Sequence, residues 1–235
     1  MIRIKRSRIE PFLRTSNLDS LAKEMDATLI PKSHDLDDAT VKYVETLSQK
    51  RSIVRNVIGI LPGSHQARGH EAIVVGAHYD HLGFGGRHSM NPDLAGQIHN
   101  GADDNASGTA GILELSKKLS SNRKNLKRSI LLMAYNAEEK GLLGSKYYVN
   151  NPTASLSATA AMINMDMIGR MSEGKVTVGG VGTSPEFESI LNEINKDHNI
   201  HLKMSQEGYG PSDHASFYVN NIPVLFIFTG THMDY

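Results

Sequence analysis

Acidic and histidine side chains follow four apolar runs of this chain, and this arrangement favours a bound cation. The runs are VVGAHYDHLG, NGADDNASG, LLMAYNAEEKGLLGS and MINMDMIG, and their polar positions include His78, Asp80, Asp103, Glu138, Glu139 and Asp166. Carboxylates at the end of a buried strand are costly to desolvate unless a cation meets them. A histidine with several carboxylates and no cysteine is a ligand set that suits zinc. The sequence therefore predicts a pair of zinc ions shared by these segments.

The first of these segments has two polar positions with separable roles. On extended backbone, residues two apart point to the same side, so His78 and Asp80 face one way. Asp80 could accept a hydrogen bond from the ring of a metal-bound histidine, or bind the metal itself. The alternative without metal is an ordinary polar turn after a strand.

The acidic pairs in the second and third segments leave more than one assignment open. Asp104 precedes an apolar helical pattern and could cap that helix, which leaves Asp103 as the ligand able to bridge two metals through its two oxygens. Glu138 and Glu139 diverge on extended backbone, so one could bind metal while the other faces a water. They could also be a solvated pair at a helix start.

The remaining candidates are a buried acid and several scattered side chains. Asp166 lies between methionines and needs a partner, because an unpaired buried carboxylate would protonate. Asp213 in PSDHASF could cap a helix or form a pocket wall. Four more histidines could each be ligands, although isolated histidines usually are not: His81, His99, His214 and His232.

Composition limits the kind of protein that this chain can be. It has 235 residues, enough for one sizeable α/β domain with a small appendage. Lysine plus arginine equals aspartate plus glutamate at 25 each, so there is no electrostatic footprint for nucleic acid. No apolar run approaches the roughly 20 residues that span a bilayer. The absence of cysteine excludes disulfides and thiolate-bound zinc.

Strand and helix patterns alternate along most of the chain. The sequence predicts strands over Ile53–Leu61, Ala72–Ala77, Ser129–Tyr135, Thr159–Met165, Lys175–Val178 and Pro223–Phe228. It predicts helices over Ser107–Leu119, Leu142–Asn150, Ser184–Asn195 and Ser212–Val219. This alternation predicts a three-layer α/β fold, with a mixed, mostly parallel sheet covered by helices on both faces. Ligands of such sheets bind at the carboxyl ends of the strands, where the acidic segments converge.

Residues 1–52 are weakly patterned. The sequence predicts a helix over Leu18–Ala27 and an edge strand over Ala39–Leu47. We therefore divide the chain into an N-terminal appendage, residues 1–52, and a main domain, residues 53–235.

The motifs in this order resemble the di-zinc exopeptidases that include the secreted bacterial leucyl aminopeptidases and glutamate carboxypeptidase. The resemblance runs from about Asn56 to Tyr235 through GAHYDHLG, NGADDNASGTAG, AYNAEEKGLLGS, NMDMIGR and SDHASF. It implies the following metal roles: His78 and Asp166 bind one zinc, Glu139 binds the other, and Asp103 bridges both. It also implies that Asp80 orients His78, and that a cis peptide bond follows the bridging residue at Asp103–Asp104.

The resemblance further implies a hydrolytic reaction on peptides. Glu138 would be the general base, Glu138 and Asp166 would contact the substrate amine, and Tyr235 matches an oxyanion-stabilising tyrosine. We expect an aminopeptidase with a peptide substrate, no nucleic acid or membrane span and no obligate protein partner. A catalytically impaired binding domain on the same scaffold, or a single-zinc glutaminyl-cyclase-like enzyme, are the alternatives.

The end of the chain departs from this resemblance. The family's last ligand is a histidine that would follow Tyr235, so we expect at most one tight zinc here unless His232 substitutes. Residues 1–52 resemble the tail of a protease-associated insert domain. We therefore expect a piece of a longer protein that is secreted or periplasmic, although the chain itself shows no signal peptide.

Overall fold

The computed structural model describes residues 5, 7, 10–12, 18–32, 40, 42, 44, 46, 48, 51–86 and 89–234. The chain divides into two compact units, Met1–Arg51 and Ser52–Tyr235. In the first unit, helix α1 spans Leu18–Thr28, close to its predicted position. The edge strand predicted over Ala39–Leu47 lies largely outside the described residues. Across the described ranges, no helix combines the length and apolar character needed to cross a membrane.

The second unit is built on a sheet of seven strands. They are β1 (Val57–Leu61), β2 (Ala72–His78), β3 (Ser129–Tyr135), β4 (Thr159–Met165), β5 (Lys175–Gly179), β6 (His201–Met204) and β7 (Val224–Phe228). Their spatial order is β1-β3-β2-β4-β7-β5-β6. The four central strands β3, β2, β4 and β7 run parallel, whereas β1 and β5 pair antiparallel to β3 and β7. The polar residues after β2, β3, β4 and β7 therefore meet at one edge of the sheet.

Helices cover both faces of this sheet, as the alternation along the chain requires. They are α2 (Gly108–Ser121), α3 (Leu143–Asn150), α4 (Phe187–Asn195) and α5 (His214–Tyr218). Helix α2 packs through Ile112 against Val75 and Leu132 on one face. Helices α3 and α5 pack through Tyr148 and Phe217 on the opposite face. The predicted three-layer α/β fold with a mixed, mostly parallel sheet is confirmed.

One glycine in the sheet allows an aromatic side chain to fill the core. Tyr135 ends β3, is fully buried and lies beside Gly76 of β2. A Cβ atom added at Gly76 would lie 2.5 Å from Cε2 of Tyr135. Only glycine at this position therefore leaves room for the Tyr135 ring below the end of the strand that carries His78.

Most predicted elements match in position, with small shifts at their ends. Strands β3 and β4 have the predicted bounds, and β1 begins at Val57 rather than Ile53, where its pairing with Ala134 of β3 starts. Strand β6, with the sequence HLKM, was not predicted. It is a four-residue edge strand with half its side chains exposed, which gives little apolar pattern to detect.

Candidate metal centre

Two groups of three side chains meet at the carboxyl edge of the sheet, and they share one residue. The groups are His78, Asp104 and Asp166, and His81, Asp104 and Glu139, and within each group the ligand atoms lie within 4.8 Å of one another. His78 ends β2, Asp166 directly follows β4, and Glu139 lies in the turn after β3. Asp104 comes from an irregular turn, Ala102–Ser107, that precedes α2. These two groups are called the His78 set and the His81 set below.

The His78 set is tightly assembled and buried. His78 is 1% exposed, and its Nε2 lies 3.1 Å from Oδ1 of Asp104 and 3.4 Å from Oδ1 of Asp166. The other ring nitrogen, Nδ1, lies 3.1 Å from the backbone carbonyl oxygen of Asp80 and donates to it. This second contact fixes the ring orientation and directs Nε2 at the two carboxylates.

The pKa of His78 indicates that the carboxylates of Asp104 and Asp166 favour a positively charged partner. Burial alone would lower the pKa of His78, but hydrogen bonds to Asp104 and Asp166 outweigh it and raise the pKa to about 12. The imidazolium is therefore the cation that these carboxylates hold when only the protein is present. A metal ion bound at the same point would replace the Nε2 proton and neutralise the same negative charge.

The His81 set lies beside the turn that carries the two glutamates. His81 Nδ1 lies 2.9 Å from Oε1 of Glu139. The Asp80 carboxylate accepts hydrogen bonds from the backbone N–H groups of Glu138 and Glu139, at 3.1 Å and 3.3 Å. Asp80 thus clamps the glutamate turn with its side chain while its carbonyl holds His78, and one residue orders parts of both sets.

Glu138 does not belong to either set and instead faces a cavity beside them. The cavity has a volume of about 650 Å³ and is lined by Glu138, Glu139, Gly141, Leu142, Lys146, Tyr209, Gly210 and Pro211. Burial raises the pKa of Glu138 to about 8; nearby His78 opposes this shift, and Asp213 adds to it. A carboxyl group with a pKa near neutrality, at the edge of an open cavity, is suited to accept and return a proton.

The irregular turn that carries Asp104 is held against β4 by a buried amide. Asn105 is 1% exposed; its Nδ2 donates to the carbonyl oxygen of Met165 at 3.0 Å, and its Oδ1 accepts from Gly108 N at 3.0 Å. Gly108 permits this approach, because a Cβ there would lie 2.4 Å from Asn105 Oδ1. The amide therefore fixes Asp104 next to the strand end that carries Asp166.

Asp166 is in turn fixed by residues of the PSDHASF segment. Ser212 Oγ donates to Asp166 Oδ2 at 2.7 Å, and Asn164 Nδ2 donates to the same hydroxyl at 2.8 Å. Both Ser212 and Asn164 are 1% exposed. This buried chain leaves Oδ1 of Asp166 directed at His78.

Two non-glycine residues with left-handed backbone flank the centre. Ala137 precedes Glu138 with φ 57°, and Met167 follows Asp166 with φ 50°. Such conformations disfavour residues with a Cβ and are maintained only where surrounding contacts fix them. Here Met167 N donates to Oδ1 of Asn105, and the Met167 carbonyl oxygen accepts from Thr229 Oγ1. The strained backbone directs Asp166 towards His78 and Glu138 towards the adjoining cavity.

The structure changes three of the site assignments made from the sequence. Asp104, not Asp103, lies in the ligand groups, and the cis peptide bond is Asp104–Asn105, so its prediction at Asp103–Asp104 is wrong by one residue. The Asp80 carboxylate lies 3.8 Å from the His78 ring and is hydrogen-bonded to the glutamate turn instead. Asp213 is 0% exposed, so its side chain does not form the surface of a pocket.

Two candidate site residues lie near the C-terminus, His232 and Tyr235, and the structure describes only His232. His232 is not in either ligand set, because its Nε2 lies 2.9 Å from Oδ2 of Asp103. Tyr235, for which the resemblance implies an oxyanion role, lies outside the described residues. His78, Glu139 and Asp166 lie in the ligand groups where the sequence placed them.

Sequence reasoning gave little weight to two residues that lie in the ligand groups of the structure, Asp104 and His81. Asp104 was treated as a helix cap, but the side chain that accepts from the first turn of α2 is Asn105. His81 was considered only as one of several isolated histidines. Its position directly after Asp80, three residues beyond the end of β2, was a signal that could have singled it out.

The donor chemistry of the two sets fits zinc. Each set offers one imidazole nitrogen and two carboxylate residues, which are the nitrogen and oxygen donors found at catalytic zinc sites. Three protein donors also leave a coordination position for water or substrate. The shared Asp104 has the two oxygens that a bridging ligand needs.

Comparison with known proteins assigns this sequence to a family. The sequence pattern of peptidase family M28 matches residues 56–235, which include both ligand sets and Glu138. The chain belongs to peptidase family M28.

Individual relatives agree with this assignment. The chain is 29% identical to leupeptin-inactivating enzyme 1 of Streptomyces exfoliatus, over 80% of the chain and 38% of the relative. It is 31% identical to a probable leucine aminopeptidase of Arthroderma otae, over 73% of the chain and 45% of the relative. The solved structure of BSAP, a zinc aminopeptidase from Bacillus subtilis, matches with a TM-score of 0.57 and 30% identity, covering 74% of the chain and 40% of BSAP. The chain therefore spans less than half the length of these relatives.

Proposed function

We propose that this chain is a zinc-dependent aminopeptidase that hydrolyses the first peptide bond of peptides with an unblocked N-terminus. The observation that carries the proposal is that the Asp104 carboxylate belongs to both ligand sets while Glu138 lines the adjoining cavity. A shared carboxylate is the feature that distinguishes a two-metal centre from two unrelated sites. The names of the relatives, leucine aminopeptidase and zinc aminopeptidase, support the same activity.

Each ligand set would hold one zinc ion. His78 and Asp166 would hold the first, His81 and Glu139 the second, and Asp104 would contact both. The expectation of a single tight zinc assumed that the second set had no histidine. His81 lies 2.9 Å from Glu139, and this position supports a complete second set.

The protein's own groups account for the proton transfers of the reaction. Bound zinc supplies Lewis-acid polarisation of the scissile carbonyl and lowers the pKa of water in the cleft. Glu138 accepts a proton from the attacking water as the water oxygen bonds to the carbonyl carbon, and the C–N bond of the resulting tetrahedral species then breaks. Glu138 then donates that proton to the leaving amine, so the carboxylate is regenerated. Asp80 holds the Glu138 backbone in place throughout, through the hydrogen bond at 3.1 Å.

The charge of the cleft supports recognition of an N-terminal ammonium group. Glu138 and Asp166 are partly exposed at the centre, and their carboxylates match a cationic amine. A blocked N-terminus has no such charge and would be recognised poorly. The cavity that Glu138 lines, with Leu142 and Tyr209 in its wall, has room for a substrate side chain.

The test compares three substrates with zinc-loaded protein. We expect release of nitroaniline from L-leucine 4-nitroanilide, and none from its N-acetyl derivative. The third substrate, N-acetyl-leucyl-leucine, tests the carboxypeptidase alternative, because it offers only a C-terminal bond. Release of leucine from that dipeptide, or cyclisation of an N-terminal glutamine as the only activity, would refute the aminopeptidase proposal.

A matched pair of glutamate variants tests the role of Glu138. Glu138→Gln keeps the shape and removes the base, so kcat should fall by about 10²–10⁴ while zinc content stays unchanged. Glu188→Gln, at an exposed position of α4, should leave kcat unchanged. Loss of zinc from Glu138→Gln with retained kcat would assign Glu138 to the metal rather than to the proton.

A further inference from the structure

Asp103, the neighbour of the shared ligand Asp104, uses both of its carboxylate oxygens within the protein. It is 8% exposed; its Oδ1 accepts from Gly169 N at 2.6 Å, and its Oδ2 lies 2.9 Å from His232 Nε2. These two contacts lie on segments that are distant in sequence. Asp103 therefore joins three parts of the chain at a point one residue from the centre.

The same segments are joined by a second hydrogen-bond chain. Ser107 Oγ donates to the backbone carbonyl oxygen of Asp103 at 2.7 Å and accepts from Ile168 N at 3.0 Å. The turn that carries Asp104 is thus tied twice to residues 168–169, which follow the ligand Asp166. Its position relative to Asp166 depends on these ties.

The third segment, residues 229–234 after β7, is fixed by two side-chain contacts. Thr229 Oγ1 donates to the backbone carbonyl oxygen of Met167 at 2.6 Å, and His232 reaches Asp103 three residues later. The His232 side chain is 15% exposed, so its contact with Asp103 is largely shielded from water. The segment therefore contacts Met167, which follows Asp166, through Thr229, and it contacts Asp103 through His232.

We propose that Asp103 and His232 form a latch that positions Asp104, and that they are positioning residues rather than metal ligands. Because Asp103 shares a peptide unit with Asp104, the latch limits how the Asp104 carboxylate can turn between the two ligand sets. Outer contacts of this kind typically change metal affinity or activity by 10–100-fold when removed. The proposal rests on the two-metal centre of the proposed function.

The experiment measures zinc affinity, saturating zinc stoichiometry and kinetics on variants of the full chain. Asp103→Ala and His232→Ala should each weaken zinc binding by about 10–100-fold, measured by competition with a chelator of known affinity. Saturating stoichiometry should equal that of the wild type, because no ligand is lost. At saturating zinc, kcat on leucine 4-nitroanilide should fall more than KM changes.

Two further variants separate the latch from a general structural effect. Arg170→Ala removes an exposed ion pair with Asp234, which links the same two segments outside the centre, and it should leave zinc affinity unchanged. Asp103→Asn keeps an acceptor for Gly169 and a side chain able to hydrogen-bond with His232, so it should restore most of the affinity lost in Asp103→Ala. The double variant Asp103→Ala/His232→Ala should bind zinc no more weakly than the weaker single variant, because both single variants remove the same Asp103–His232 contact.

The results that would overturn the latch differ from the result that would refute the proposed function. Loss of one zinc at saturation from Asp103→Ala would make Asp103 a ligand and overturn the latch. Zinc affinity of His232→Ala equal to that of the wild type would also overturn it, and this variant decides the matter if Asp103→Ala fails to fold. Absence of peptidase activity in the wild type would refute the proposed function, whereas the zinc-affinity comparison would still test the latch.

Discussion

Removal of metal should lower the thermal stability of the second unit by a measurable amount. Three carboxylates lie in the ligand sets, from Asp104, Glu139 and Asp166. Glu138 lines the adjoining cavity, where burial already raises its pKa to about 8 when no metal compensates. Zinc binds the folded centre and not the unfolded chain, so at a free concentration of 100 times its Kd it adds about 2.7 kcal/mol to the free energy of unfolding. For a domain of this size, that corresponds to a rise in melting temperature of about 5–11 °C.

The assay is a melting curve of chelator-stripped protein titrated with zinc at pH 7.5. The melting temperature should rise with the logarithm of free zinc above Kd, as mass action requires. Magnesium at the same concentration should have a much smaller effect, because an imidazole donor suits zinc better. Asp104→Asn should lose most of the zinc-dependent rise, since Asp104 belongs to both sets. A wild-type rise below 1 °C, or an equal rise in Asp104→Asn, would refute this reasoning.

Two other predictions concern buried residues near the centre. Burial lowers the pKa of His214 to about 4 from 6.5, so the folded protein holds this side chain neutral. The unfolded chain takes up a proton at His214 below pH 6.5, and the free energy of unfolding therefore falls as the pH falls from 6.5 toward 4. Between pH 7.5 and pH 5, His214 should reduce the free energy of unfolding by about 2 kcal/mol. Denaturant titrations of His214→Phe should lack this contribution. Equal pH dependence of the free energy of unfolding in both proteins would contradict this prediction. Gly76→Ala should destabilise by about 1–3 kcal/mol, because its Cβ meets the Tyr135 ring, whereas Gly59→Ala, with no contact closer than 3.9 Å, should not. Equal urea midpoints for these two variants would show that the Tyr135 ring can move aside.

The sheet could be predicted from the sequence because its central strands are nearly continuous apolar runs. Strands β3 (SILLMAY) and β4 (TAAMINM) were placed with their observed bounds, and both are buried in the sheet interior. Helix α4 begins at Phe187 rather than Ser184 because residues 181–183 form a separate turn. Local turns of this kind depend on contacts that periodicity does not report.

The ligand groups could be predicted only to within one residue. Position along a strand end is set by alternation, so the sequence predicted His78 and Asp166 at the edge of the sheet where the structure brings them together. The choice between Asp103 and Asp104 depends on an irregular turn in which Asp104 and Asn105 leave helical geometry. The choice between His81 and His232 depends on long-range packing, because His232 contacts Asp103 across 129 residues. Neither kind of information is contained in a local pattern.

The measurement that tests the central claim most directly is zinc stoichiometry with X-ray absorption at the zinc edge. Wild-type protein at saturating zinc should hold two ions per chain, with a zinc–zinc scattering path at roughly 3.5–4 Å. Asp104→Asn should lose that path, whereas Asp103→Asn should keep it. Retention of the zinc–zinc path in Asp104→Asn, or its loss only in Asp103→Asn, would contradict the assignment of Asp104 as the residue that both metal sites share.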